Sequence, residues 1–380
     1  MNVLVIVTES ESANGICCSS VMKELNSRGV SVYCITNHEF NEKKEYIKNG
    51  IKYYTVKPRC IYRINSYIRH NKLSRIMRFL LSKLVFVINK AKLLISYFSW
   101  PLISPLYSYR IYRLSDKICR EKEIEIIIPV YTQIDTLIAA YLIKKKYPEI
   151  KYIPYFLDSL SGGYGPKVFS HNWLIRRGLK WERKLLPLAD QIIMMESSKE
   201  HHEKYSAFET YYERIQYLDL PLFKLRQNIC SFQRNRTVTL VYVGSLPSGI
   251  RSPEYILNVF QQIDDNNWRF IFVGTDECEL LNKYARYDKR ITIIGRCDHE
   301  QALEYEAQAD ILVNIGNTNS NMTPSKIFEY MSWLKKIVST VPIEKEPSIP
   351  YLKNYPFALI LSEKIDNYKQ ASMKLVEFAY

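Results

Sequence analysis

Along the 380-residue chain, short runs of consecutive apolar residues alternate with longer stretches in which apolar positions recur every three or four residues. The short runs have the length of strands and the longer stretches the period of helices. In the first half, runs at 3–7, 30–36, 123–130, 151–158 and 191–195 predict strands, with helices at 15–28, 132–146, 173–186 and 198–205. The pattern restarts with strand-like runs at 237–245, 268–275, 290–295 and 310–316. Strands that are apolar throughout and separated by helices indicate parallel sheets covered on both faces. The polar interval 224–236 divides the two series, and the length also favours two cores over one. The expected architecture is α/β with two Rossmann-like domains, 1–223 and 224–362, followed by a helix at 363–380.

Composition narrows the class without naming a reaction. Apolar content is that of a globular protein, and scarce glycine excludes a collagen-like or linker-rich chain. The eight cysteines show no C-x-x-C or Cys/His ligand spacing, so reduced thiols in a cytosolic enzyme are expected, not a disulfide frame or a zinc site. His201 and His202, flanked by Glu200 and Glu203, are expected on an exposed helix surface and not as metal ligands. The opening MNVLVIVTESESANG lacks the basic start and long apolar run of a signal peptide, and reads as a first buried strand. The most apolar region, 79–100, is interrupted by Lys83, Lys90 and Lys92, short of the ~20 unbroken apolar residues of a membrane span. The expected location is the cytoplasm.

The net charge of +14 is concentrated in one place: residues 57–120 hold fourteen Lys and Arg against a single acid, Asp116. If 72–91 is helical, Lys72, Lys83 and Lys90 share one face while Leu73, Leu80, Leu84, Val87 and Ala91 spread over another. Aromatic residues, among them Tyr62, Phe79, Phe86, Phe98 and Trp100, are interleaved with the cations. That pattern suits the surface of an anionic membrane, where each Lys or Arg contributes about 1 kcal/mol. Nucleic acid would use the same side chains, but no nucleic-acid module signature accompanies them. The remaining alternative is a helical insertion that packs on its own domain and leaves its charge solvated.

Candidate chemistry centres on 314–338, NIGNTNSNMTPSKIFEYMSWLKKIV, where an apolar strand runs through a polar loop into a short helix. Pro324 and Ser325 suit a first helical turn, whose amide groups favour an anion such as a diphosphate. Lys326 adds a positive charge, and Glu329 can accept hydrogen bonds from a ribose diol; an ordinary helix start with a solvated Glu is the alternative. Ligands of open parallel sheets bind beyond the carboxyl ends of the strands, where Gly244, Gly274, Gly295 and Gly316 fall. None belongs to a G-x-G-x-x-G fingerprint or a P-loop, which disfavours a dehydrogenase or a phosphate-hydrolysing motor.

The run PSKIFEYM resembles the donor-nucleotide motif of GT-B glycosyltransferases, especially bacterial members of glycosyltransferase family 4 that build surface polysaccharides. The resemblance implies two Rossmann-like domains facing each other across a cleft, with the last helix crossing back to the first. It implies Glu329 on the ribose hydroxyls. The family's preceding Glu falls at Asn321, a departure that bears on the transferred sugar and the mechanism. Ser245 stands where an Arg is often found after Gly244, which leaves Arg251 as the diphosphate cation with Lys326 opposite; Arg296 lies where the backbone reads the base. In the facing domain Asn14 and Gly15 open a helix close to the acceptor, and Asp158 contacts the acceptor hydroxyl or the transferring sugar, or else caps the following turn. The implied reaction moves a sugar from a UDP- or GDP-sugar donor to a lipid-linked or growing glycan acceptor, with retention and without a metal or other cofactor. The implied setting is the inner face of the plasma membrane, docked through 57–120, with no nucleic-acid partner. An epimerase or phosphorylase of the same fold, or a noncatalytic binder, are the alternatives.

Overall fold

In the computed structural model the chain divides into two units, residues 1–221 and 222–380. The structure describes residues 1–9, 13–38, 43–71, 73–102, 104–163, 165–166, 168–219, 226, 237–274 and 278–380. Lys72 and, apart from Arg226, the expected linker at 224–236 lie outside the described residues.

The first unit runs β1 (Asn2–Ile6), α1 (Ala13–Ser27), β2 (Ser31–Asn37), β3 (Glu45–Lys48), β4 (Ile51–Val56), α2 (Cys60–His70), α3 (Arg75–Ser99), α4 (Pro105–Lys122), β5 (Ile126–Tyr131) and α5 (Ile134–Lys146). It continues with β6 (Lys151–Tyr152), β7 (Tyr155–Phe156), α6 (His171–Leu185), β8 (Ile192–Met195), α7 (Lys199–Ser206) and β9 (Ile215–Leu218). The sheet order is β3-β4-β2-β1-β5-β7-β8-β9, with β6 also on β5. All described pairings are parallel except β3 with β4. Strand order therefore reverses between β1 and β5, the place where open parallel sheets receive ligands. Leu4, Ile6, Ile35, Ile127 and Val130 are fully buried, as a sheet covered on both faces requires.

Besides β9, which is not among the expected runs, two strand features differ from the run pattern. The β3–β4 hairpin turns through Asn49 and Gly50, at φ of 53° and 76°, the pair of left-handed residues that a two-residue turn needs. Pro154 interrupts the expected strand at 151–158, and β6 and β7 lie on either side of it.

His201 and His202 are buried, contrary to the exposed position expected for them. They lie beneath the loop after β7: the His201 imidazole meets the Ser161 hydroxyl at 2.8 Å and His202 meets Ser159 at 3.4 Å. Glu182 of α6, also fully buried, accepts the Ser161 N–H at 2.9 Å. Gly178, one turn earlier, lets α6 approach so closely that a Cβ there would stand 2.4 Å from the Ser161 Cα. Burial lowers His202 to about 4 and His201 to about 3.

The basic insertion splits into parts that behave differently. Helix α4 belongs to the core, with Tyr107, Ile111 and Ile118 buried, and its Asp116 pairs with Lys146 at 2.6 Å. On α3 only Ser96 is fully buried, and the half-buried seam passes through Leu81, Val85, Ile88 and Lys92. The stripe Ile76, Leu80, Leu84, Val87, Ala91, Leu94 and Phe98 is exposed throughout, over about 33 Å of helix at 1.5 Å per residue. Lys83 and Lys90 flank it, each lying over an exposed aromatic ring, Phe79 and Phe86. Internal packing therefore accounts for α4 and not for the apolar stripe of α3. No described helix is long and apolar enough to cross a membrane.

The second unit comprises β10 (Val238–Val243), α8 (Glu254–Gln261), β11 (Trp268–Val273), α9 (Glu279–Tyr287), β12 (Ile291–Ile294), α10 (His299–Gln308), β13 (Ile311–Ile315), α11 (Lys326–Ser332), β14 (Lys336–Val341), α12 (Ile349–Lys353), β15 (Ala358–Ser362) and α13 (Tyr368–Ala379). Its parallel sheet has the order β12-β11-β10-β13-β14-β15, reversing between β10 and β13. Trp268, Phe270, Phe272 and Phe260 fill the core on one face. Helix α13, expected to cross back to the first domain, buries Ala371 and Leu375 in this core and packs on α8 and β15.

Burial raises the Glu182 carboxyl from 4.5 to about 7, against the hydrogen bonds from Ser161. The folded state thus holds a proton that the unfolded chain releases, so stability is full below about pH 4.5 and falls as pH rises through 7. Between pH 5 and pH 8 the protein should lose about 2 to 3 kcal/mol more stability than Glu182→Gln, measured by urea unfolding. Parallel pH dependences in the two proteins would contradict this.

Candidate active site

The second unit's crevice opens because β10 and β13 pair only at Leu240 with Ile311 and Val241 with Leu312, then part. Tyr330 of α11 occupies the gap. Its hydroxyl, fully buried, accepts the Val243 N–H at 2.9 Å and lies 3.4 Å from the Val243 carbonyl oxygen. A strand end left without ladder partners is thereby satisfied by a side chain, as buried backbone groups require. The same bond fixes α11, and with it Glu329 and Lys326, beside the end of β10.

Around Glu329 the structure assembles a charge cluster. Lys326 Nζ donates to Glu329 Oε2 at 2.7 Å and to Glu306 Oε1 at 3.0 Å. Glu306, from α10, is fully buried and accepts the Trp333 indole N–H on its other oxygen at 2.9 Å. Arg226 donates to Glu329 Oε1 at 3.1 Å, and His299 Nε2 lies 3.7 Å from the same oxygen. Burial raises the Glu306 carboxyl above its ordinary value against the pull of Lys326. Burial also opposes the Lys326 ammonium, but Glu306 and Glu329 outweigh it, so the lysine keeps its charge beyond the usual range. His299 is pushed the other way, chiefly by burial.

Sequence reasoning identified Glu329 and Lys326, and the two are in contact. It assigned Lys326 to the diphosphate, whereas in the structure this cation is shared by two carboxylates. Glu306, Arg226, His299 and Trp333 were missed, since nothing in their spacing ties them to the motif. Ser325 takes the N-cap position of α11 without a side-chain cap bond. The Ile327 and Phe328 amides turn back to the Pro324 and Ser325 carbonyls at 3.2 and 3.3 Å, which leaves this short helix little to offer an anion.

Arg251 is held by a separate chain of contacts. Its Nε donates to Asn317 Oδ1 at 2.7 Å; the Asn317 N–H donates to Glu346 Oε1 at 3.2 Å, and the Ser348 N–H to Glu346 Oε2 at 2.8 Å. Glu346 and Asn317 are both buried, so this support is rigid. Arg251 forms no ion pair among the described residues. Gly316 is required just before: a Cβ there would meet the Thr340 carbonyl oxygen at 2.6 Å. Gly244, at φ of 145°, ends β10 where the strands part. Arg296 is exposed just beyond β12, and Asn321 lies in the loop before α11, its N–H on Asn319 Oδ1 at 2.8 Å.

In the first unit, Asn14 Nδ2 donates to Asp158 Oδ2 at 3.0 Å, joining the start of α1 to the loop after β7. Gly15 is buried beside Asn14. This is the same loop that Glu182, Gly178 and the two histidines hold from below. Nearby, Glu9 Oε1 accepts from Gln133 Nε2 at 2.7 Å and from the Tyr62 hydroxyl at 3.1 Å. Both carboxylates stand beyond the carboxyl ends of β1 and β7.

Residues 237–349 match the family described as Glycosyl transferases group 1. Among solved structures the chain is similar to a glycosyltransferase from Rickettsia africae, at 11% identity over 99% of this chain and 87% of that one, with a TM-score of 0.63. It is similar to an Escherichia coli protein described as trehalose-6-phosphate bound with UDP-2-fluoro glucose, at 11% identity over 98% and 90%, with a TM-score of 0.60. A third is WaaG, a glycosyltransferase involved in lipopolysaccharide biosynthesis, at 11% over 99% and 90%, with a TM-score of 0.60. At such identities the likeness is one of fold. No curated protein matches the sequence. The chain thus has the fold of the GT-B glycosyltransferases, and residues 237–349 of its second unit form a domain that matches the glycosyl transferases group 1 family.

Proposed function

We propose that the protein transfers a sugar from a UDP- or GDP-sugar to a lipid-linked or growing glycan acceptor during assembly of a cell-surface polysaccharide. The observation that carries this reading is Glu329, held at the β10/β13 parting with one oxygen on Lys326 and the other on Arg226. A carboxylate oriented at a switch point is suited to a ribose diol, to which it offers two acceptor oxygens. The UDP-sugar in the Escherichia coli structure and the lipopolysaccharide role of WaaG supply the donor and acceptor classes by analogy.

As the glycosidic bond breaks, charge builds on the departing diphosphate. Arg251, fixed through Asn317 to buried Glu346, is the cation we assign to it. Lys326 serves by holding Glu329 and by adding to the local potential, with Gly244 and Arg296 bordering the nucleotide and Ser325 a lesser contributor. Preorganised charge of this kind needs no reorganisation during the reaction, and we read the transfer as retaining and metal-independent. Asp158 takes the acceptor hydroxyl, with Gly15 allowing close approach, and Asn321 lies toward the transferred sugar.

The exposed stripe of α3, with Lys83 and Lys90 beside it, is read as the surface that docks on an anionic membrane at its cytoplasmic face.

Calorimetric titration with UDP, GDP and their sugar conjugates should reveal one preferred base. Glu329→Ala should weaken that binding and lower donor turnover by at least about tenfold, the value of a charge-assisted hydrogen bond of roughly 1.5 to 3 kcal/mol. A smaller loss would argue against the ribose role. Reversing Lys72, Lys83 and Lys90 to Glu should release the protein from phosphatidylglycerol-containing liposomes in a flotation assay, and unchanged flotation would remove the membrane reading.

A further inference from the structure

Arg226 lies outside the family-matched region, yet it touches the carboxylate on which the donor reading rests. Four contacts hold it: its N–H donates to the Ser332 carbonyl at 2.9 Å, Nε to the Ser332 hydroxyl at 3.2 Å, and a terminal nitrogen to Glu329 at 3.1 Å, while the guanidinium carbon stands 5.1 Å from the Trp333 ring centroid. We propose that Arg226 and the donor ribose compete for Glu329: Arg226 holds the carboxylate in the nucleotide-free protein and yields it when the diol binds. The proposal rests on the reading of Glu329 as the ribose acceptor.

The two cations on Glu329 are not equivalent, and the difference decides which one yields. Lys326 is clamped between Glu329 and fully buried Glu306, so its departure would strand a buried carboxylate facing Trp333. Removing one partner of a buried pair is strongly unfavourable. Among the described residues Arg226 has no such tie. Its side chain is 31% exposed, and the Ser332 and Trp333 contacts can retain it after the Glu329 bond is broken. His299 Nε2, at 3.7 Å, lies beyond hydrogen-bond distance of Oε1, and burial disfavours its charged form. A bidentate diol needs a free acceptor position on each Glu329 oxygen: Oε2 keeps one beside Lys326, whereas Arg226 and the nearby His299 both crowd Oε1.

A competitor that occupies the free state reduces apparent affinity by the fraction it holds, so its removal should tighten binding. In calorimetric titration with whichever of UDP and GDP binds, Arg226→Ala should bind about threefold to tenfold more tightly than the unaltered protein. The 2′,3′-dideoxy form of that nucleotide should show no such gain, because it has no diol to present. Trp333 supplies an optical readout: nucleotide binding should change the tryptophan fluorescence, and Trp333→Phe should remove that change. Weaker binding by Arg226→Ala would mean that the arginine contacts the nucleotide directly and would overturn the proposal. Unchanged binding, an equal gain with the dideoxy form, or a fluorescence change that survives Trp333→Phe would do the same. Glu329→Gln, titrated in parallel, separates the two levels: if it binds as well as the unaltered protein, the ribose reading has failed, and if it binds weakly while Arg226→Ala gains nothing, only the competition has failed.

Discussion

The hydrogen bond between the Tyr330 hydroxyl and the Val243 amide is the contact on which the site depends. A doubly wound sheet has to part where its strand order reverses, and the parting leaves strand ends without partners. Here a buried phenol from the helix that follows the next strand supplies the missing partner. The helix cannot then shift without exposing Val243, so Lys326 and Glu329, one turn or less from Tyr330, inherit its position. The side chains at the crevice are placed by a backbone requirement of the fold.

Around that fixed helix, buried carboxylates do most of the positioning. Glu306 anchors Lys326, and Glu346 anchors Asn317 and through it Arg251. In the first unit Glu182 anchors the loop that carries Asp158. Each is fully or almost fully buried, and burial raises all three carboxyls above their ordinary values. Leaving such a group without partners costs several kcal/mol, so the residues it holds are held firmly. The groups proposed to meet substrate, Glu329, Arg251 and Asp158, are themselves only partly buried.

Parallel strands such as β1, β2, β5, β10, β11 and β13 were legible because each reads as an apolar run, whereas β9, β14 and β15, also parallel, were not among the expected runs. The β3–β4 hairpin was not found that way, although Asn49-Gly50 is a direct turn signal. The buried histidines were misplaced because flanking Glu200 and Glu203 suggest a solvated helix, and a short helix can be polar on one side and sunk into a core on the other. Glu329 and Lys326 were legible from a local motif. Glu306 and Arg226 were not, because they meet Glu329 and Lys326 only after α10 and α11 pack together and the chain before β10 returns to α11. Lys326 shows the limit most clearly: its identity suggested a phosphate cation, and only the packed structure reveals the two carboxylates it stands between.

A crystal structure of the protein with bound UDP or GDP tests the central claim most directly. The account predicts the ribose diol on Glu329, the diphosphate beside Arg251 and the base beyond β12 near Arg296. A nucleotide bound elsewhere, or one whose ribose leaves Glu329 untouched, would contradict it.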